Sequence, residues 1–268
     1  MKLGIIGAGN MAAAIVHGLL HESILDRDQI MLSARSLDRL LHFQTKYDLS
    51  ISTQNLDIVE FSDVLLLAVK PIHFPTVVAE IRERVITEQK TVISIAAGIS
   101  LDDLQELFGA DVPLIRVMPN INATVFASTT ALCANDLVDE VTFTAVNTLF
   151  GALGKTYVID ESQMSTFIAI AGSAPAYAYL FVDALAQGAL KNGMSKAQAV
   201  DIAAQTLLGS AKMILETEKH PRVLMDQVSS PGGTTIAAVA TLEAHGFVPT
   251  LIAAVDACIE KDNSLTTQ

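Results

Sequence analysis

Apolar residues over the first 160 positions fall in short continuous runs separated by helical stretches. Residues 2–6 (KLGII), 29–32, a short run near Ile51, 63–69 (DVLLLAV), 91–96 and 114–118 read as strands. DVLLLAV shows no alternation, as expected of a parallel strand covered on both faces. Two further strands are expected at 128–133 and 155–159, around a helix at 137–150. Amphipathic helices are predicted at 11–20 and 74–84. Another is capped by Ser100, with Asp102 and Asp103 in its first turn. Strands alternating with helices predict an α/β fold with a doubly wound, mostly parallel sheet. Beyond about Asp160 no strand-like run remains. Helices are expected at 163–191, 196–218, 221–228, 235–245 and 248–261. Asn192-Gly193 ends the first, a Ser195/Gln198 capping box opens the second and His220-Pro221 marks its end. The expected division is therefore 1–160 for the sheet domain and 161–268 for an all-helical one.

The chain has 268 residues, 51% hydrophobic and 17% charged, which allows one large domain or two ordinary ones. Its formal charge of −12 repels phosphate backbones, so nucleic acid is not an expected partner. Cys133 and Cys258 stand in no metal or redox spacing and read as reduced, buried thiols of a cytoplasmic protein. No signal peptide is expected, because Gly7, Gly9 and Asn10 interrupt the first apolar run. Residues 166–190 are long and apolar enough to compare with a membrane span. Gly172, Ser173, Pro175, Asp183, Gln187 and the many alanines instead predict a soluble helix buried on nearly all sides, with no membrane partner. Small residues all round it predict close packing against other helices, including those of a second subunit.

Chemistry enters at Gly7-Ala8-Gly9-Asn10-Met11-Ala12, between the first strand and the first helix. Gly7 permits a tight turn, Gly9 lets a pyrophosphate approach the backbone, and Ala12 still allows close helix–strand packing. This strand, glycine turn and helix make 1–160 a Rossmann-type dinucleotide-binding domain. At the end of the second strand no acid is placed for a ribose 2′-hydroxyl. Ser33, Arg35 and Ser36 offer hydroxyls and a guanidinium suited to a 2′-phosphate, so NADPH is the expected cofactor and NADH a weaker substitute. Lys70-Pro71 closes the fourth strand at the carboxyl edge, where such sheets bind ligands, and Asn55 reads as a turn residue. His17 and His21, with Glu22 beside them, have zinc-like spacing. They lack a third ligand and read as a solvated pair, so no metal is expected.

The second feature is residues 225–243, centred on Ser229-Ser230-Pro231-Gly232-Gly233-Thr234-Thr235. Pro231 ends the preceding helix, two glycines bend the chain, and an Ala-rich helix follows. Amides feeding a helix N-terminus, with the hydroxyls of Ser230, Thr234 and Thr235, suit a small carboxylate or phosphate. A Pro-Gly loop with a threonine N-cap remains the alternative.

These stretches together resemble the pyrroline-5-carboxylate reductase family over nearly the whole chain. The resemblance rests on the glycine turn, Ala68-Val69-Lys70-Pro71, Arg116-Val117-Met118-Pro119-Asn120, Gly172-Ser173 with Pro175-Ala176-Tyr177, Ala203-Ala204-Gln205-Thr206, and above all SPGGTTI. The family commonly has Thr-Pro where this chain has Ile121-Asn122, and Ser and Gly where it has Ala171 and Ala174. The resemblance implies hydride transfer from NADPH to the C=N carbon of 1-pyrroline-5-carboxylate, giving proline. It implies substrate binding by Ser230, Gly232, Gly233, Thr234 and Thr235, with Thr235 hydrogen-bonded to the ring nitrogen as the catalytic residue and Asn120 and Ser173 nearby. It places Gly7, Ala8, Gly9, Asn10, Met11, Ser33, Arg35, Asn55, Ala68, Val69, Lys70 and Pro71 around the cofactor. It also implies a homodimer or larger assembly through the helical domain. Two alternatives stand beside it. A β-hydroxyacid dehydrogenase would use a lysine on the long helix, and none lies between Lys155 and Lys191. A non-catalytic dinucleotide sensor would keep the glycine turn alone.

Overall fold

A computed structural model describes residues 1–266. Among these, eight strands form one sheet in the order β3-β2-β1-β4-β5-β6-β7-β8. They are β1 (Leu3–Ile6), β2 (Ile30–Ser33), β3 (Ser50–Ser52), β4 (Val64–Leu67), β5 (Thr91–Ser94), β6 (Leu114–Met118), β7 (Ser128–Ala134) and β8 (Gly154–Val158). The first six pair in parallel. β7 runs antiparallel to β6, with Arg116 opposite Cys133, because residues 119–127 are too few for a crossover. β8 then pairs in parallel with β7. The helices between strands are α1 (Asn10–His21), α2 (Leu37–Tyr47), α3 (Asn55–Phe61), α4 (Phe74–Thr87), α5 (Leu101–Phe108) and α6 (Glu140–Gly151).

Successive strand residues face opposite layers, and both layers are apolar. Val64 and Leu66 join Leu3, Ile5, Leu32 and Ile93 against Ile15 and Leu19 of α1. Leu65 and Leu67 join Ile6, Val92 and Leu114 against Phe74, Val78 and Ile81 of α4 and Phe108 of α5. This explains the unbroken apolar run in β4, whose four residues are all buried. The third strand leads directly into α3, so Asn55, expected in a turn, is the first residue of a helix.

From Glu161 the chain is helical. α7 (Met164–Phe167) passes through a π-helical turn, Ile168–Gly172, into α8 (Ala174–Lys191). α9 (Lys196–Thr217), α10 (Pro221–Val228), α11 (Thr234–Ala244) and α12 (Phe247–Thr266) follow. Contacts divide the chain into two compact units: Met1–Gly172 together with the chain from Cys258, and Ser173–Ala257. Within the second, α8 packs on α9 around Ala186, Ala199 and Ala203, and Lys196 Nζ lies 3.3 Å from Asp183 Oδ1. Those alanines are its only buried residues among those described.

The long helix is thus not buried on nearly all sides within this chain. Glu161–Lys191 is long and apolar enough to cross a membrane, yet in α8 only Ala186 is buried among the described residues. Tyr179 and Leu180 are 63% and 70% exposed. Its alanines let α9 approach closely on one side and leave the other sides uncovered. The expectation for the cysteines is corrected too: Cys133 is buried, whereas Cys258 is only half-buried. Burial pushes the Cys133 thiol up to about 12.

Candidate functional site

The glycine turn forms at the carboxyl ends of β1, β2 and β4, beside the point where strand order reverses. Gly7 has φ +119°, and a Cβ there would run into the Ala68 carbonyl oxygen. Its N–H donates 2.8 Å to the Ser33 carbonyl, and the Ala68 N–H donates 2.8 Å to the Ile6 carbonyl. Gly7, Ser33 and Ala68 therefore meet at one edge, with Val69, Lys70 and Pro71 continuing from it. Gly9 has open space where a side chain would stand and caps α1 without a side-chain bond. Gly9 and Asn10 are exposed and Ala8 and Met11 half-buried. The first-turn amides of α1 thus face open space without a side-chain acceptor, a cradle that fits a dinucleotide pyrophosphate.

The residues expected to read the 2′-phosphate divide in role. Ser33 is fully buried, and its hydroxyl donates 2.7 Å to Asn55 Oδ1. Asn55 Nδ2 in turn donates 2.8 Å to Glu80 Oε2. Ser33 and Asn55 therefore brace the strand end, and their hydrogen-bonding groups face each other. Arg35 is exposed, with Nη2 3.4 Å from His73 Nε2. His73, in the short 3₁₀ turn Pro71–His73, was missed in the sequence reading. The Lys70-Pro71 corner that delivers it was the available signal.

In the middle of β6, Arg116 is 4% exposed and donates 2.8 Å from Nη1 to Glu161 Oε1, which also accepts from the Leu101 N–H. Four residues on, Asn120 is 5% exposed. Its Oδ1 accepts from the Asn122 N–H at 3.2 Å, the Ser128 hydroxyl at 3.4 Å and the Thr129 N–H at 3.4 Å. Its Nδ2 donates 2.9 Å to the Ala171 carbonyl. Ser128 and Glu161 were also missed, since only the β6–β7 pairing and the helix start bring them here.

In the helical unit, α10 ends at Val228 and the chain turns at Ser230-Pro231-Gly232-Gly233. The Gly233 N–H donates 3.0 Å to the Ser230 carbonyl and Gly232 has φ +67°. Proline followed by a left-handed glycine is what a type II turn requires. A Cβ on Gly233 would collide with the Ser230 hydroxyl oxygen. Gly233 then caps α11 with no side-chain bond, leaving its first amides available. Ser230 and Thr234 are exposed and Thr235 half-buried. None of the three hydroxyls is hydrogen-bonded among the described residues. Apart from the Gly233 N–H, the turn and the first helical turn thus gather donors with no internal partner among the described residues, as an anionic ligand needs. Ser173 lies between the π-helical turn and α8.

The histidine pair is not simply solvated. His17 is half-buried, and both rings pack on Phe126, His21 stacked at a centroid distance of 4.8 Å. Among the described residues no three His, Cys, Asp or Glu gather where they could hold a metal.

Known proteins resemble both regions of the chain. Residues 161–265 match the family model "Pyrroline-5-carboxylate reductase dimerisation". Residues 2–98 match "NADP oxidoreductase coenzyme F420-dependent". The pyrroline-5-carboxylate reductase of Escherichia coli (strain K12) is 38% identical over 265 residues, 99% of this chain and 98% of that one. The structure of a pyrroline-5-carboxylate reductase from Coxiella burnetii superposes with a TM-score of 0.94 at 33% identity, covering 99% of this chain and 98% of its own. The Plasmodium falciparum pyrroline carboxylate reductase, solved with NADP bound, gives 0.89 at 29% identity over the same shares. With full-length identity of this order, and a glycine cradle and an SPGGTT turn each built for its part, the chain belongs to the pyrroline-5-carboxylate reductase family.

Proposed function

We infer that the protein reduces 1-pyrroline-5-carboxylate to L-proline, with NADPH as the hydride donor. The observation that carries this reading is the SPGGTT turn, whose three hydroxyls and the Thr234 and Thr235 amides have no internal partner among the described residues, in a chain 38% identical over its length to a named reductase. The two parts of the chain divide the work: 1–160 holds the cofactor, and 161–268 holds the imine and joins subunits.

Bound NADPH supplies the hydride. The glycine turn binds the pyrophosphate through Gly7, Ala8, Gly9, Asn10 and Met11. Arg35, with His73 against it, pairs with the 2′-phosphate, while Ser33 and Asn55 hold the strand end that carries it. Ala68, Val69, Lys70 and Pro71 line the cofactor edge. Ser230, Gly232, Gly233 and Thr234 bind the carboxylate, and Ser173 is assigned to the same ligand. Thr235 hydrogen-bonds the ring nitrogen. Reduction adds a hydride to the C=N carbon and leaves a proton on nitrogen. A protonated imine is already electrophilic, so positioning contributes more than acid catalysis.

The helical region, matching a dimerisation model, acts in a homodimer or a larger homo-oligomer. Neither cysteine enters a disulfide, in keeping with a cytoplasmic protein. The charge of −12 disfavours nucleic acid, and a small soluble substrate calls for no membrane. The test is proline formation from 1-pyrroline-5-carboxylate with NADPH or NADH. Proline made faster with NADPH is expected. Cofactor binding without proline would favour a sensor, and a higher kcat/KM with NADH would refute the role of Arg35.

A further inference from the structure

The helix entering the second unit has a defect at Ala171. In an α-helix its carbonyl would accept from the N–H four residues on, but that residue is Pro175, which has none. One position further, the Ala176 N–H donates to the Ser173 carbonyl at 3.0 Å. The π-helical turn Ile168–Gly172 ends just before this break. The donor that reaches the Ala171 carbonyl comes from another element: Asn120 Nδ2, at 2.9 Å.

We propose that Asn120 is a positioning residue for the reduction, whose carboxamide replaces the amide that Pro175 lacks and so fixes the turn leading into Ser173. The sequence had placed it against the substrate. Its geometry fits the other role, because the side chain is 5% exposed and its oxygen already serves Asn122, Ser128 and Thr129. An asparagine oxygen has two lone pairs, so it is fully engaged. One carboxamide thus joins the end of β6, the start of β7 and the π-helical turn.

Asn120→Asp tests this, since the new carboxyl keeps the acceptor and loses the donor. Ionised, it opposes the Ala171 carbonyl. Protonated, its O–H donates to that carbonyl, and burial favours this form at lower pH. The charged or titratable groups on the elements packed here are Arg116 and Glu161, paired at 2.8 Å, Cys133, whose thiol burial keeps neutral, Lys155 and Tyr157 on β8, His17 and His21 on α1, and Asp262, which accepts from Ser165 of α7. Relative to the native protein at each pH, kcat should fall about tenfold above neutrality and recover as pH is lowered. KM for the imine should move less than about threefold. In the full-length protein without substrate, amide exchange over 168–172 should accelerate. A tenfold rise in KM with kcat unchanged and no pH dependence, or unaltered exchange, would overturn the proposal. Ser128→Ala is the milder variant should the first not fold. It should lower kcat about twofold with KM unchanged, and a change confined to KM would again overturn the proposal. The inference rests on the reductase reading. The exchange measurement needs no turnover, so failure of that reading and failure of the clamp are told apart.

Discussion

The two units differ in where their cores come from. In the sheet unit the central strands β1, β4, β5 and β6 are buried at every position, and both faces carry apolar clusters completed by the chain's own helices. In Ser173–Ala257, three alanines are buried, while Leu180, Leu208 and Leu215 are 70%, 62% and 69% exposed. Both regions are comparably apolar in sequence, so hydrophobic content does not separate them. The sheet gathers its helices by short local connections, whereas α8 and α9 cover only one side of each other. Apolar surface on this scale marks an interface, and the match of 161–265 to a dimerisation model says what kind.

Changes on the exposed helices should sharpen this contrast most. Leu180→Asp with Leu208→Asp would place two unpaired charges in the covered surface, each costing about 3–5 kcal/mol. Light scattering should show loss of the assembly, and activity should go with it. An intact assembly would contradict the account. Leu66→Ala, in the sheet core, should lower stability by about 2–5 kcal/mol in denaturant melts while leaving the oligomer's composition unchanged. Arg35→Gln should lower the preference for NADPH over NADH, measured as a ratio of Kd values, by about 1.5–3 kcal/mol. An unchanged ratio would remove Arg35 from the site. Thr235→Ala should reduce kcat/KM by about 1–3 kcal/mol, and unchanged kinetics would remove Thr235. The smallest effect is chemical: a thiol reagent near pH 8 should leave Cys133 unmodified in the native protein, because burial holds its thiol protonated up to about 12. Rapid labelling of Cys133 would refute that.

The sheet was readable because an apolar run such as Val64–Leu67, bounded by turn signals, is too short for a helix. Gly7 was readable because its backbone needs a conformation other residues avoid. The partners of Ser33 and Asn120 were not readable, since Asn55, Ser128 and Ala171 come near only after strands pair. Asn55 read as a turn because asparagine is common in turns, and nothing local shows that it opens a helix. The long helix was misread for a related reason: its composition announces that it will be covered, not by which chain.

The most direct measurement is the molar mass of the native protein by light scattering, followed by dilution with amide exchange read in both units. A mass that is a multiple of 28.5 kDa is expected. On dissociation, exchange should accelerate across 173–257 while the sheet unit stays protected. A stable monomer of 28.5 kDa with both units equally protected would contradict the claim that the helical unit completes its core with a second copy.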